Sequence, residues 1–192
     1  MIARLLRDQT GATVVEFALI MPVLLGVLFV GFELGFAQYM RAVLEGTLQD
    51  AGRAATLQSA QASQTSIDSF VQGRVQSVFP AASVTLTRKN YATFADVNRP
   101  EDFTDLNANG RRDSGECFSD LNGNGLWDAD VGRSGNGGAN DIVVYTALVT
   151  YQTGMPVRMF GLNPITTLTA STTLRNQPYG TQATRTAVQV CT

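Results

Sequence analysis

The sequence predicts an α+β chain: a long N-terminal transmembrane helix followed by a small antiparallel-sheet domain that carries a long polar loop insertion. Three observations predict it. From Ala12 to Phe32 the only ionisable side chain is Glu16, which leaves about the 20 apolar residues that a bilayer-spanning helix needs. Beyond Pro80, runs rich in Thr, Val and Ile alternate apolar and polar positions with the period of two of a half-buried strand. Between two of those runs, residues 98–140 are dominated by Asp, Asn and Gly, a composition that cannot build a packed core.

Residues 1–11 form a short basic leader, with Arg4 and Arg7 ahead of the apolar run. The positive-inside bias holds that end in the cytoplasm and sends the remainder across, so a single pass with the C-terminal domain outside is expected. The helix is expected over residues 12–57, because Leu44, Leu48, Ala51 and Ala55 continue at spacings of three and four and Arg41 and Glu45 form an i,i+4 pair. Pro22 is expected to bend it or to open its hydrogen-bond ladder locally. Gly31 and Gly35 form a small-xxx-small pair that suits a close helix partner, although two small residues near the membrane exit would look the same.

Residues 58–192 are expected to form the extracytoplasmic domain. Gln58 to Ser66 is a polar break. Ile67, Phe70, Val71, Val75, Val78 and Phe79 then line one face of a second helix that Pro80 ends. Strands are expected at Val84 to Arg88, at Ile142 to Thr153 and at Ile165 to Arg175.

The charge balance narrows the function classes. Fourteen basic and sixteen acidic residues leave a net charge of −2, so no basic face for nucleic acid is implied. The chain has no histidine, which removes Ser–His and Cys–His couples and most zinc sites; no enzyme activity is expected. Cys117 and Cys191 are the only cysteines. An oxidising compartment would join them into a disulfide; the alternative is a pair of buried thiols.

Glu16 stands at the head of the apolar run, and a carboxylate there costs several kcal/mol (~3) unless it finds a partner. A cleaved secretory signal would not carry it, and a plain anchor would not need it. A prepilin-type arrangement uses it: a basic leader ending in Gly11, then a helix whose fifth residue is Glu. Cutting after Gly11 makes the amine of Ala12 a cation, which can pair with Glu16 of the same or a neighbouring chain. Near the helix start the negative charge also suits the macrodipole.

The insertion contains Asp105-Leu-Asn107-Ala-Asn109-Gly110-Arg111-Arg-Asp113-Ser-Gly-Glu116. In a twelve-residue calcium loop, oxygen side chains fall at positions one, three, five and nine, Gly at six and a bidentate Glu at twelve, with a backbone carbonyl at seven, here that of Arg111. The fold class therefore includes a calcium-binding-type loop insertion. A second copy begins fifteen positions on, with Asp120, Asn122, Asn124, Gly125, Leu126 for the carbonyl, and Asp128. Its twelfth position is Val131, so closure is expected from Asp130, from Asp141 or from water. One or two structural Ca2+ ions of modest affinity are expected, because asparagines dilute the charge. The competing reading is that Asp, Asn and Gly are simply turn residues.

Gly11-Ala-Thr-Val-Val-Glu16-Phe17-Ala-Leu resembles the processing region of TadE-like proteins, pseudopilins of the tight-adherence (Flp, type IVb) pilus system. The resemblance implies a cut after Gly11 by a prepilin peptidase, Ala12 as the new N-terminus, and Glu16 with Phe17 as the recognition and assembly pair. It implies an inner-membrane chain whose partners are other pilins or pseudopilins, the pilus assembly machinery and lipid, with incorporation in the pilus an open alternative. Major pilins of that system are far shorter, so the expected role is a minor one; TadE-, TadF- and short TadG-type roles stay open. The alternative function is a permanently anchored, calcium-stabilised envelope binding protein or adhesin.

Overall fold

The computed structural model describes residues 10–56, 64–152, 161 and 163–191. The leader with Arg4 and Arg7, Leu57, most of the expected break from Gln58 and the end of the expected strand at Thr153 lie outside the described residues.

Helix α1 spans Thr10–Ala55 without interruption, Pro22 included. Its two halves differ in environment. Met40, Leu44, Leu48 and Ala51 are buried, each about one turn from the next, and form half of the domain core. None of residues 11 and 13–35 is fully buried, and Val14, Phe17, Leu19, Ile20, Val23 and Val27 are all more than half exposed. At 1.5 Å per residue that bare half rises about 37 Å, enough for a hydrocarbon core of about 30 Å. It is the one helix among the described residues long and apolar enough to cross a membrane.

Helix α2 spans Gln64–Val78 and starts before the expected Ile67: Gln64, Thr65 and Ser66 belong to the helix, not to the break. Ile67, Val71 and Val75 face the core at a spacing of four. Strands β1 (Ser83–Tyr91), β4 (Ile142–Gln152) and β5 (Ile165–Arg175) form an antiparallel sheet, with the two-residue β3 (Arg133–Ser134) on its edge in the order β3-β1-β4-β5. β4 is central, and its Tyr145, Ala147, Val149 and Tyr151 alternate into the core under the two helices. Phe36 of α1, Phe79 and Tyr151 form a ring cluster with centroids 5.0–6.0 Å apart where the bare half of α1 begins.

Asp68 ties α2 to the sheet. Both of its carboxylate oxygens accept from the Arg88 guanidinium, and Oδ1 also accepts from Tyr145 Oη at 2.6 Å. Arg88 lies over the Tyr145 ring at 4.3 Å, and burial, then the Asp68 bond, pushes the phenol far above its ordinary value. Asp68→Ala strands the buried Arg88 charge and is expected to cost about 2–3 kcal/mol in denaturant unfolding.

β1 and β4 pair from Ser83↔Thr150 to Tyr91↔Ile142, so everything between Tyr91 and Ile142 is topologically the loop of one hairpin. That loop carries structure of its own. β2 (Cys117–Asp120) pairs with β6 (Val188–Cys191) in a second, two-stranded sheet, and Phe103 bridges to Phe118. Cys117 and Cys191 face each other in that pairing and are joined as a disulfide. Closing 74 residues of chain this way restricts the unfolded ensemble by about 4–5 kcal/mol in the loop-entropy picture. The insertion is seated on the sheet by Asp130, which accepts from Lys89 Nζ at 2.6 Å and Tyr91 Oη at 3.0 Å, over a small core of Tyr91, Val131 and Ile142.

Candidate functional site

Two groups of residues carry chemistry. The first is the head of α1. Gly11, Ala12, Glu16 and Phe17 all lie in its first two turns. Glu16 and Gly11 are exposed and Phe17 is 58 % exposed, so the domain buries none of these three. Ala12 and Glu16 are four apart on the helix, so an amine created at Ala12 by cleavage would lie about one turn from the carboxylate. A Cβ added at Gly31 or Gly35 would meet nothing, so that face is open to a second helix.

The second group is the pair of loops. In the first, Asn107 and Asn109 donate their amides to one oxygen, Asp113 Oδ2, at 2.8 and 2.6 Å. In the second, Asn122 and Asn124 converge on Asp128 Oδ2 at 2.6 and 2.7 Å. Positions three, five and nine thus meet at one point in both copies. The position-one carboxylates bind the turn: Asp105 accepts from Asn109 and Gly110 N–H, Asp120 from Gly123 and Gly125 N–H. Gly110 and Gly125, at φ of 74° and 76°, supply the left-handed bend at position six. Arg111 and Leu126, at position seven, give their N–H groups to Asn109 and Asn124 Oδ1.

Glu116 closes the first loop. Its Oε1 accepts from Leu106 N–H and its Oε2 from Asp113 N–H, each at 2.8 Å. In the second loop neither expected closing group points in. Asp130 is spent on Lys89 and Tyr91, and Asp141 on Arg185, Gln182 and Gly138. The residue in the place of Glu116 is Glu101: its Oε1 accepts from Leu121 N–H at 2.8 Å and its Oε2 from Asp128 N–H at 3.2 Å. A signal for it exists in the sequence. Glu101-Asp-Phe103-Thr-Asp105-Leu-Asn107 recurs fifteen residues later as Glu116-Cys-Phe118-Ser-Asp120-Leu-Asn122, so the repeat begins four residues ahead of each loop.

The surroundings of Asp113 and Asp120 favour their ionised forms. Hydrogen bonds from Asn107 and then Asn109 hold Asp113 below the usual carboxylate value. Burial pushes Asp120 up, but backbone N–H donors from Gly125, Gly123, Asn124 and Asn122 outweigh it and leave its carboxyl low. All the converging side chains are amides or carboxylates, an oxygen set that suits a hard cation and not a soft transition metal. Rotating the asparagine amides by half a turn brings their oxygens to the common point. Among the described residues no three His, Cys, Asp or Glu side chains are grouped closely enough to hold a metal by themselves, so the asparagine and backbone oxygens would have to complete any such site.

No curated protein and no solved structure matches the chain. A family model does match its first quarter, over the helix whose head carries Gly11 and Glu16 and whose second half packs on the domain. The matching family is described as TadE-like protein, and the match covers residues 11–53.

Proposed function

We propose that this chain is a minor pseudopilin-like component of tight-adherence pilus assembly, anchored in the inner membrane by α1, processed after Gly11, and carrying its domain in the periplasm or outside the cell. The observation that carries this reading is the TadE-like match lying on a helix whose first half leaves its large apolar side chains exposed. A bare apolar helix with a carboxylate at its head needs lipid and a neighbouring helix or amine as partners. Prepilin peptidase, other pilins or pseudopilins and the inner-membrane assembly machinery fit that need; nucleic acid does not, and the role is one of assembly, not catalysis. The paired loops bind structural Ca2+ on this reading, which orders a segment too polar to pack by itself. Deleting the chain in its host is expected to remove or sharply reduce surface filaments. Piliation at the parental level in the deletion strain would overturn the proposal.

The open faces of the α1 head also allow a permanently anchored envelope adhesin, with the ordered loop module as its binding part. The two readings part at Glu16, which an anchor does not need.

A further inference from the structure

The two loops are related by an exchange: each bond from a residue of the first copy to the second has an image in which the two copies trade places. Thr104 N–H donates to Cys117 O at 2.8 Å, and Ser119 N–H donates to Asp102 O at 2.8 Å. Glu116 N–H donates to Asp113 O at 3.2 Å, and Glu101 N–H donates to Asp128 O at 3.0 Å. Arg112 donates to Glu116 O and covers the Phe118 ring, while Trp127 donates to Glu101 O and meets the Phe103 ring edge-on. The Phe103–Phe118 bridge lies at the centre of this exchange. The closing carboxylate of each loop therefore sits at the front of the other repeat.

Charge supplies a separate observation. Glu101, Glu116 and Asp120 are 1, 3 and 4 % exposed. Among the described residues, none of the three carboxylates forms an ion pair with a Lys or Arg side chain, although the molecule pairs its buried Asp141 with Arg185. Their oxygens accept backbone N–H groups, and a bound cation would supply the opposite charge that buried carboxylates otherwise take from Lys or Arg.

We propose that residues 101–128 form one reciprocal calcium module, in which Glu101 closes the second loop as Glu116 closes the first and filling either site steadies the closing group of the other. This rests on the calcium reading above. The coupling path is short. An ion that draws in Glu116 fixes Cys117 and Phe118, and their bridge to Asp102 and Phe103 fixes the backbone next to Glu101. The second loop is complete without Val131, Asp130 or Asp141.

The test is a CaCl2 titration of the full chain in lipid nanodiscs, read by calorimetry and by the emission of Trp127, the single tryptophan, whose Nε1 donates to Glu101 O at 2.9 Å. Wild type is expected to take up two ions. Glu101→Gln is expected to keep the heat of the first loop, which also shows that the variant folds, and to raise the Trp127 midpoint by roughly tenfold or more. Glu116→Gln, in the other loop, is expected to raise the Trp127 midpoint a few-fold through the bridge. Asp102→Asn, an exposed neighbour outside the closing pair, is expected to leave the midpoint in place. An unmoved Trp127 midpoint in Glu101→Gln overturns the assignment while leaving calcium binding standing, as does an equal shift in Asp102→Asn. An unmoved midpoint in Glu116→Gln overturns the coupling. A wild-type chain with neither heat nor emission change at millimolar calcium overturns the calcium reading itself.

Discussion

Removing calcium from the folded chain is expected to lower the thermal midpoint of the extracytoplasmic domain by about 10 °C, and Asp105→Ala combined with Glu116→Ala is expected to remove about half of that dependence. The size follows from mass action. Loops of this composition, with asparagine at positions three and five, bind in the range of about 0.1–1 mM. At ten times the dissociation constant each site contributes about 1.4 kcal/mol, and for a domain of this size each kcal/mol moves the midpoint by about 3–4 °C. On the proposed calcium reading the double variant would empty the first loop and leave the second, where Glu101 accepts from Leu121 and Asp128 N–H, with its closing group. Acid should act in the same direction. Asp113 and Asp120 are held below their ordinary value of 3.8, so the stability they contribute is fully present above that value and is lost as pH falls through the lowered folded values. A midpoint identical in millimolar calcium and in chelator would remove the metal from the account.

Glu16→Ala is expected to leave membrane insertion intact and to cut recovery in sheared surface filaments on the order of tenfold or more. A lone carboxylate at the head of an apolar helix opposes insertion by about 2.5–3.5 kcal/mol at worst, so replacing it makes insertion easier, not harder. On the proposed reading, what would disappear is its pairing with a cleavage-made amine at Ala12, one turn away or on a neighbouring helix. About 1.4 kcal/mol of lost pairing already changes an equilibrium tenfold. Glu16→Asp retains the charge on a shorter arm and should assemble partially. Equal filament recovery for wild type and Glu16→Ala would favour a permanent anchor.

The elements that were legible in the sequence are those fixed by their own residues. The bare half of α1 is set by hydropathy alone, and β4 and β5 begin where their alternating runs begin. The start of α2 at Gln64 was less legible, because Gln, Thr and Ser carry weak preferences and packing of Ile67 and Val71 against α1 decides the matter. Strands β2 and β6 are four residues each and exist only by pairing with each other across the chain, a relation no local pattern carries. The disulfide between them was expected from the compartment and not from spacing. Glu101 was missed for a related reason. A twelve-residue frame looks for its closing acid downstream, whereas the exchange between repeats brings it from upstream.

The proposed assembly role requires Glu16 to be neutralised by an amine that only cleavage can create. N-terminal sequencing of the chain recovered from membranes and from sheared filaments tests this directly. Ala12 as the first residue in both fractions is the predicted result; Met1 at the start of the filament-borne chain, in a host with an active prepilin peptidase, would contradict it.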